Sequence, residues 1–234
     1  MPAKPISRRD FIKGAGIAVG AATVACVGLS AGAAIIVSSK PESETEPEPE
    51  MPLTESSYGE ENMNERILVV YASKGGSTAG VADAIAKSLA ESGANVDVRN
   101  VASVTDLSPY KAVVIGSAVH SSEWMPEAQQ FVERNQETLR GMPTAIFQVC
   151  MMMTSDNAQY RTMIPEWLAP MRAKIQPVAE GSFAGALFPD KYPKLSDKLG
   201  LRIFLAFIKK QPGDYRDWKA INNWALSLRP LLVQ

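Results

Sequence analysis

The chain has 234 residues, enough for one core of ordinary size with extensions and too few for two substantial cores. Its formal net charge of -1 averages two segments of opposite sign: from Glu65 onward 19 Lys and Arg face 16 Asp and Glu, whereas between Lys40 and Asn62 one Lys faces 8 Glu. A domain this weakly basic gives no sign of nucleic-acid binding, and two cysteines (Cys26, Cys150) with one histidine (His120) exclude an intradomain disulfide and argue against a metal site.

In chain order, residues 7–13 read S-R-R-D-F-I-K, and no charged residue follows from Gly14 to Ser39. An arginine pair, a Phe two residues later and a Gly/Ala-rich apolar stretch resemble a twin-arginine export signal. The apolar part, Gly16 to Val37, exceeds the roughly 7–15 residues of a signal core and falls in the roughly 17–25 that span a bilayer. Residues 14–37 are therefore read either as a retained membrane anchor or, with Ser30-Ala31-Gly32-Ala33 as a cleavage site, as a removed signal. Either way the domain is expected on the extracytoplasmic side of the cytoplasmic membrane. Residues 1–39 form this address, 40–64 an acidic Pro/Glu spacer too poor in apolar residues to fold, and 65–234 the domain.

Within the domain, short apolar runs alternate with helical patterns. Ile67–Tyr71 reads as a strand buried on both faces. Val81, Ala82, Ile85, Ala86 and Leu89 share one helical face, Gly93 stops that helix, and Val96–Val98 follows as a shorter strand. Ala112–Gly116 is the next strand, Pro126 to Leu139 a helix, and Thr144–Cys150 a fourth strand. Asn157 to Lys174 reads as a helix and Gly181–Phe188 as a fifth strand. The last helix, Arg216 to Leu228, carries Trp218, Ile221, Ala225 and Leu228 on one stripe. Five β-α repeats predict an α/β fold, a doubly wound five-stranded parallel sheet with helices on both faces. Ligands of such sheets lie beyond the C-terminal strand ends.

The loop after the first strand, Ala72-Ser73-Lys74-Gly75-Gly76-Ser77-Thr78, opens directly into a helix. Hydroxyls, glycines and free N–H groups at a helix N-terminus together make a phosphate cradle, although N-caps and tight turns use the same residues. At this point the chain resembles the flavodoxin superfamily from Arg66 to about Leu228. The stretch V-V-I-G-S-A-V-H-S-S-E-W-M-P-E-A-Q-Q-F-V (113–132) and the ending G-D-Y-R-D-W-K-A-I (213–221) are similar to its menaquinone-dependent protoporphyrinogen oxidase branch. The resemblance implies flavin mononucleotide (FMN) as cofactor. Ser73, Lys74, Gly75, Gly76, Ser77 and Thr78 would hold its phosphate, Ser117, Ala118, Val119, His120, Ser121 and Trp124 would line one side of the isoalloxazine, and Cys150, Met151, Met152 and Met153 would close the other.

An isoalloxazine is a flat apolar body with polar edges, so it calls for apolar or aromatic walls and a few hydrogen bonds. Trp124 is placed either to stack on it or to plug the following helix; His120 either donates to flavin or substrate or makes ordinary surface bonds. The three methionines stand where many flavodoxins place a stacking Tyr, and methionine also packs well against rings. Cys150 reads as a small buried hydrophobe. Between the fifth strand and the last helix, Asp190 to Gly213 is an insert with an apolar cluster flanked by lysines. Residues 195–210 are thus either a cover for the sheet edge or a helix lying on lipid. Two functions remain open: an FMN-dependent oxidoreductase passing electrons from a substrate to quinone, and a flavodoxin-type carrier serving a redox partner protein. Carriers of that type usually present a strongly acidic face, so the slightly basic charge of this domain leans toward the enzyme.

Overall fold

The computed structural model describes residues 55–59, 66–155, 157–192 and 194–233. The twin-arginine segment, the question of an anchor and most of the acidic spacer lie outside the described residues. The elements are β1 (Ser56–Tyr58), β2 (Arg66–Ala72), α1 (Ser77–Glu91), β3 (Asn95–Asn100), β4 (Tyr110–His120), β5 (Glu123–Trp124), α2 (Pro126–Arg134), α3 (Gln136–Arg140) and β6 (Thr144–Val149). Then come α4 (Ala158–Met163), α5 (Ala169–Ile175), β7 (Ala179–Phe183), β8 (Ala186–Leu187), α6 (Leu195–Phe207), β9 (Gly213–Asp214) and α7 (Trp218–Leu232). Short 3₁₀ turns occupy Met151–Thr154, Pro165–Leu168 and Pro189–Lys191.

The main sheet runs β1-β3-β2-β4-β6-β7, with β5 paired to the end of β4. From β3 to β7 every neighbour is parallel. The chain winds outward from β2 to β3, then returns past β2 to β4, so the strand order reverses between β2 and β4. That reversal opens a crevice beyond their C-terminal ends, because the loops after the two strands leave toward opposite faces. The α/β doubly wound architecture expected from the alternating pattern is therefore the observed one.

Period-two geometry divides the strand side chains between two cores. From β2, Ile67, Val69 and Tyr71 pack with Val81, Ala82, Ile85 and Leu89 of α1 and with Ile221, Ala225 and Leu228 of α7. Leu68, Val70 and Ala72 face the other way, onto Phe131 and Val132 of α2, Leu139 of α3 and Met171 and Ile175 of α5. Gly93, at φ +93°, ends α1 as the sequence implied, since a side chain there would be strained.

Several boundaries differ from the expectation, each for a local reason. Ser56–Tyr58, inside the segment read as spacer, form β1 antiparallel to β3. Arg99 fixes it by donating from Nη1 to the Ser56 carbonyl at 2.7 Å, and the Tyr58 hydroxyl donates to Asp83 at 2.5 Å. The helix expected over 126–139 breaks at Asn135 into α2 and α3. The one expected over 157–174 is split into α4, a 3₁₀ turn and α5, with Pro165 and Pro170 at the starts of the later pieces, where a missing N–H costs nothing. The strand expected to run from Gly181 to Phe188 stops at Phe183; Ala186–Leu187 leave the main sheet and pair with Gly213–Asp214 instead. Trp218 is 41 % exposed and so stands off the buried stripe of α7, which continues through Leu232. Among the described residues no helix is long and apolar enough to cross a membrane.

Candidate functional site

The crevice is bordered by three loops, one after each of β2, β4 and β6. Ser73 to Gly76 connect β2 to α1, whose N-cap is Gly76 at φ +72°. A left-handed N-cap without a side chain leaves the first N–H groups of the helix uncapped, and the first turn holds no acidic residue. This end of α1 thus presents positive potential without an internal counter-charge. Around it, Ser73 Oγ and Thr78 Oγ1 are buried and have no hydrogen-bond partner. Two buried hydroxyls left unpaired beside an uncapped helix start are costly in isolation and point to a ligand bearing acceptor oxygens. Ser77 differs: its Oγ accepts the Ala186 N–H at 2.7 Å and so ties α1 to β8. Lys74 is exposed at the rim.

After β4 the chain makes a hairpin with His120 opposite Glu123 and with Ser121 and Ser122 at φ +50° and +69°. Two consecutive non-glycine residues in the left-handed region each carry roughly 1 kcal/mol of strain, and such strain collects at ligand-binding turns. Ser122 Oγ is buried and unpaired, so it joins Ser73 and Thr78 as a polar group awaiting a partner. Ser117 does not. It is fully buried, donates to the Ala118 carbonyl at 2.8 Å and accepts the Met125 N–H at 2.9 Å, which makes it a brace for the hairpin rather than a lining residue.

Trp124, offered by the sequence as a stacking ring, is 3 % exposed and packs in the core with Ala128 and Phe131. That packing corrects the stacking assignment, for β5 turns its second residue inward when it pairs with Val119. Ala118 and Val119 remain half-buried, and His120 and Ser121 are exposed at the tip. Desolvation, then the positive charge of Lys74, holds the His120 imidazole below its usual pKa, against the opposing pull of Asp197.

On the third side, Met151–Thr154 form a 3₁₀ turn in which Met151 and Met153 are half-buried and Met152 is buried. Cys150 is buried beneath it. Burial pushes its thiol up to about 12, and its Sγ accepts the Met152 N–H at 3.4 Å. A thiol so placed stays protonated near neutrality, so Cys150 is a packing residue that shapes the turn.

The insert reaches this crevice. Residues between β8 and β9 leave and return through one two-stranded neck. A methyl group added at Gly75 would overlap the Tyr192 hydroxyl, so the insert's tyrosine rests directly on the loop between β2 and α1. Burial and Asp197 raise the Tyr192 phenol, keeping it a donor. The ending motif also acquires roles: Asp214 and Arg216 form a bidentate pair at 2.8 and 2.6 Å, and the Arg216 guanidinium lies 4.3 Å from the Trp218 ring. A methyl at Gly80 would overlap Arg216, so this arginine packs on the first turns of α1, and Asp217 caps α7 by accepting the Ala220 N–H at 3.0 Å. No spacing in the sequence pairs Tyr192 with Gly75 or Arg216 with Gly80; only the folded neck brings them together.

A doubly wound sheet with an uncapped, hydroxyl-lined helix start at its switch point defines the class of α/β proteins that bind a phosphate-bearing ligand there. Comparison with known families gives the assignment: the flavodoxin domain matches residues 68–217, and the chain belongs to that family. The twin-arginine translocation signal matches residues 5–25, which suggests export across the cytoplasmic membrane. The chain is 25% identical over 186 residues to protoporphyrinogen IX dehydrogenase [quinone] of Escherichia coli (strain K12), covering 71% of this chain and 96% of that protein. Among solved structures, a flavodoxin from the domain Archaea superposes with a TM-score of 0.44 at 15% identity, covering 72% of this chain and 99% of that one. Two-electron reduced Megasphaera elsdenii flavodoxin gives 0.42 at 18%, covering 58% and 97%.

Family membership makes FMN the cofactor, and the residues fit it. The orphaned hydroxyls of Ser73 and Thr78 and the uncapped start of α1 suit a phosphate, and the half-buried Met151, Met153, Ala118 and Val119 suit an apolar ring.

Proposed function

We propose that this domain is an FMN-dependent oxidoreductase that takes electrons from a reduced small molecule and delivers them to a quinone, the role that the name of the Escherichia coli relative gives to that protein. Bound FMN supplies the redox chemistry, in one- or two-electron steps. The chain's own residues bind and orient. The hydroxyls of Ser73 and Thr78 and the uncapped N–H groups at the start of α1 would hold the phosphate, and the hairpin 120–122 and the turn 151–154 would border the ring. His120, whose imidazole is held below its usual pKa by desolvation and then Lys74, stands at the hairpin tip where a substrate oxidised there can pass a proton to it.

The observation that carries the enzyme over a simple carrier is the contact of Tyr192 with Gly75. A carrier needs its flavin edge open to a protein partner, whereas here a polypeptide excursion folds onto the loop between β2 and α1, which supports a crevice built for a small substrate. Protoporphyrinogen IX is the first substrate to try. The export signal favours a second reading, a flavodoxin-type protein that hands electrons to a redox partner protein outside the cytoplasm. The two separate in one experiment, in which the FMN-loaded full chain is mixed anaerobically with protoporphyrinogen and the flavin absorbance followed. Bleaching by the small molecule, reversed on adding menaquinone, supports the oxidase. Reduction by a protein donor alone supports the carrier.

A further inference from the structure

Helix α6 is apolar on two opposite faces. Leu205 is buried and Leu201, Phe204 and Ile208 are half-buried on the side that meets the protein, where the helix packs chiefly against the turn Pro189–Lys191. On the other side Leu195, Leu199, Ile203 and Phe207, spaced by four, are 79, 56, 42 and 56 % exposed. Residues four apart stack along one helix face, so these four make a continuous apolar ridge about 18 Å long at 1.5 Å per residue. Exposed Lys194 and Arg202 and half-buried Lys198 recur at the same spacing about 100° round the helix from the ridge, and Lys209 and Lys210 follow its C-terminal end. Only Asp190 and Asp197 oppose them over this stretch, and Arg202 is paired to Asp190 at 2.8 Å.

An apolar ridge edged by a basic column is the pattern of a helix lying in a membrane interface: the ridge enters the acyl boundary while the lysines meet anionic headgroups. A second copy of the chain would set the basic columns close to one another, which works against a dimer through this face. We propose that α6 is a monotopic docking helix that seats the domain on an anionic lipid surface. Tyr192, just before α6, rests on Gly75, and Asp197 in its first turn acts on His120. Docking through α6 therefore keeps the FMN crevice near the bilayer, where a quinone is dissolved. This deepens the quinone reading by naming the surface from which the acceptor is reached.

The test uses the full chain loaded with FMN and carrying Cys26→Ser and Ile203→Cys, labelled at residue 203 with a polarity-sensitive dye; the buried Cys150 thiol does not compete. Vesicles of phosphatidylcholine with about 30 % phosphatidylglycerol are expected to shift the dye emission to the blue, and pure phosphatidylcholine vesicles to do so at least roughly tenfold more weakly at equal lipid. Adding Leu199→Asp with Phe207→Asp, or Lys198→Glu with Lys209→Glu, should each cut the lipid response at least about tenfold while the FMN spectrum is retained. An emission that ignores vesicles overturns the proposal, as does a blue shift that follows protein concentration without lipid, the signature of self-association. Loss of the FMN spectrum with an intact lipid response would instead strike the flavin reading and leave the docking surface standing.

Discussion

Along β2, every residue from Ile67 to Ala72 is at most 3 % exposed, whereas along α6 only Leu205 is buried and Leu195 is 79 % exposed. Both segments are rich in leucine, isoleucine and aromatic residues, so composition alone does not separate them. The difference lies in what surrounds each one. β2 is flanked by parallel neighbours on both edges and by helices on both faces, while α6 packs on one side, chiefly against the turn 189–191, and is open on the other. Apolar residues in the sheet hold the fold together, and those on the insert serve a surface that the fold leaves open.

The contrast breaks or holds most clearly at Phe147. Its ring is fully buried, stands 6.2 Å from Phe183 and 6.1 Å from Trp224, and fills the space over Gly116, where a methyl group would overlap it. Phe147→Ala is expected to cost about 3–5 kcal/mol in chemical denaturation. A loss below about 1 kcal/mol would mean that this side of the sheet is far looser than the structure describes.

A smaller effect of a different kind belongs to the crevice. Ser73→Ala and the isosteric Thr78→Val each remove a buried hydroxyl that has no protein partner. Stability without FMN should therefore stay the same or rise slightly, while FMN affinity, followed by flavin fluorescence, should weaken by about tenfold, or about 1.4 kcal/mol, in each variant. If stability falls and affinity does not, the two hydroxyls are structural and the cradle lies elsewhere.

The smallest effect should come from the insert. Leu199→Ser replaces an exposed side chain, so unfolding free energy in the absence of lipid should change by no more than about 0.5 kcal/mol. A cost comparable to that of Phe147→Ala would show that α6 is packed against protein in solution and would bring the two regions back to one rule.

Much of this fold was legible along the chain. The uninterrupted apolar run of Ile67–Tyr71 can be satisfied only by burial on both faces, and the face carrying Val81, Ile85 and Leu89 only by a sheet beneath it. The loop 73–78 was legible for the same local reason, since glycines and hydroxyls at a strand-to-helix turn restrict what can sit there. Trp124 was not. Whether an aromatic ring two residues past a tight hairpin points inward depends on the register of β5 against Val119, and one residue of slip would reverse it. Ser117 was misread for a similar reason, because its partner, the Met125 N–H, is brought back by that hairpin.

The sequence by itself determined the alternation of five parallel strands with helices, the two-sided burial of the sheet, the Gly- and hydroxyl-rich turn into α1 and the export signal. Each of these follows from periodicity or composition within a short window. Tertiary structure alone decided that the insert closes on itself through the β8–β9 neck, that Tyr192 comes to rest on Gly75 and Arg216 on Gly80, and which face of α6 is left uncovered. The physical reason is range. Hydrogen-bonding and hydrophobic patterns are written in neighbouring residues, but contacts between segments more than 100 residues apart, such as Ser77 with Ala186, depend on where the sheet's twist and the crossovers carry the chain.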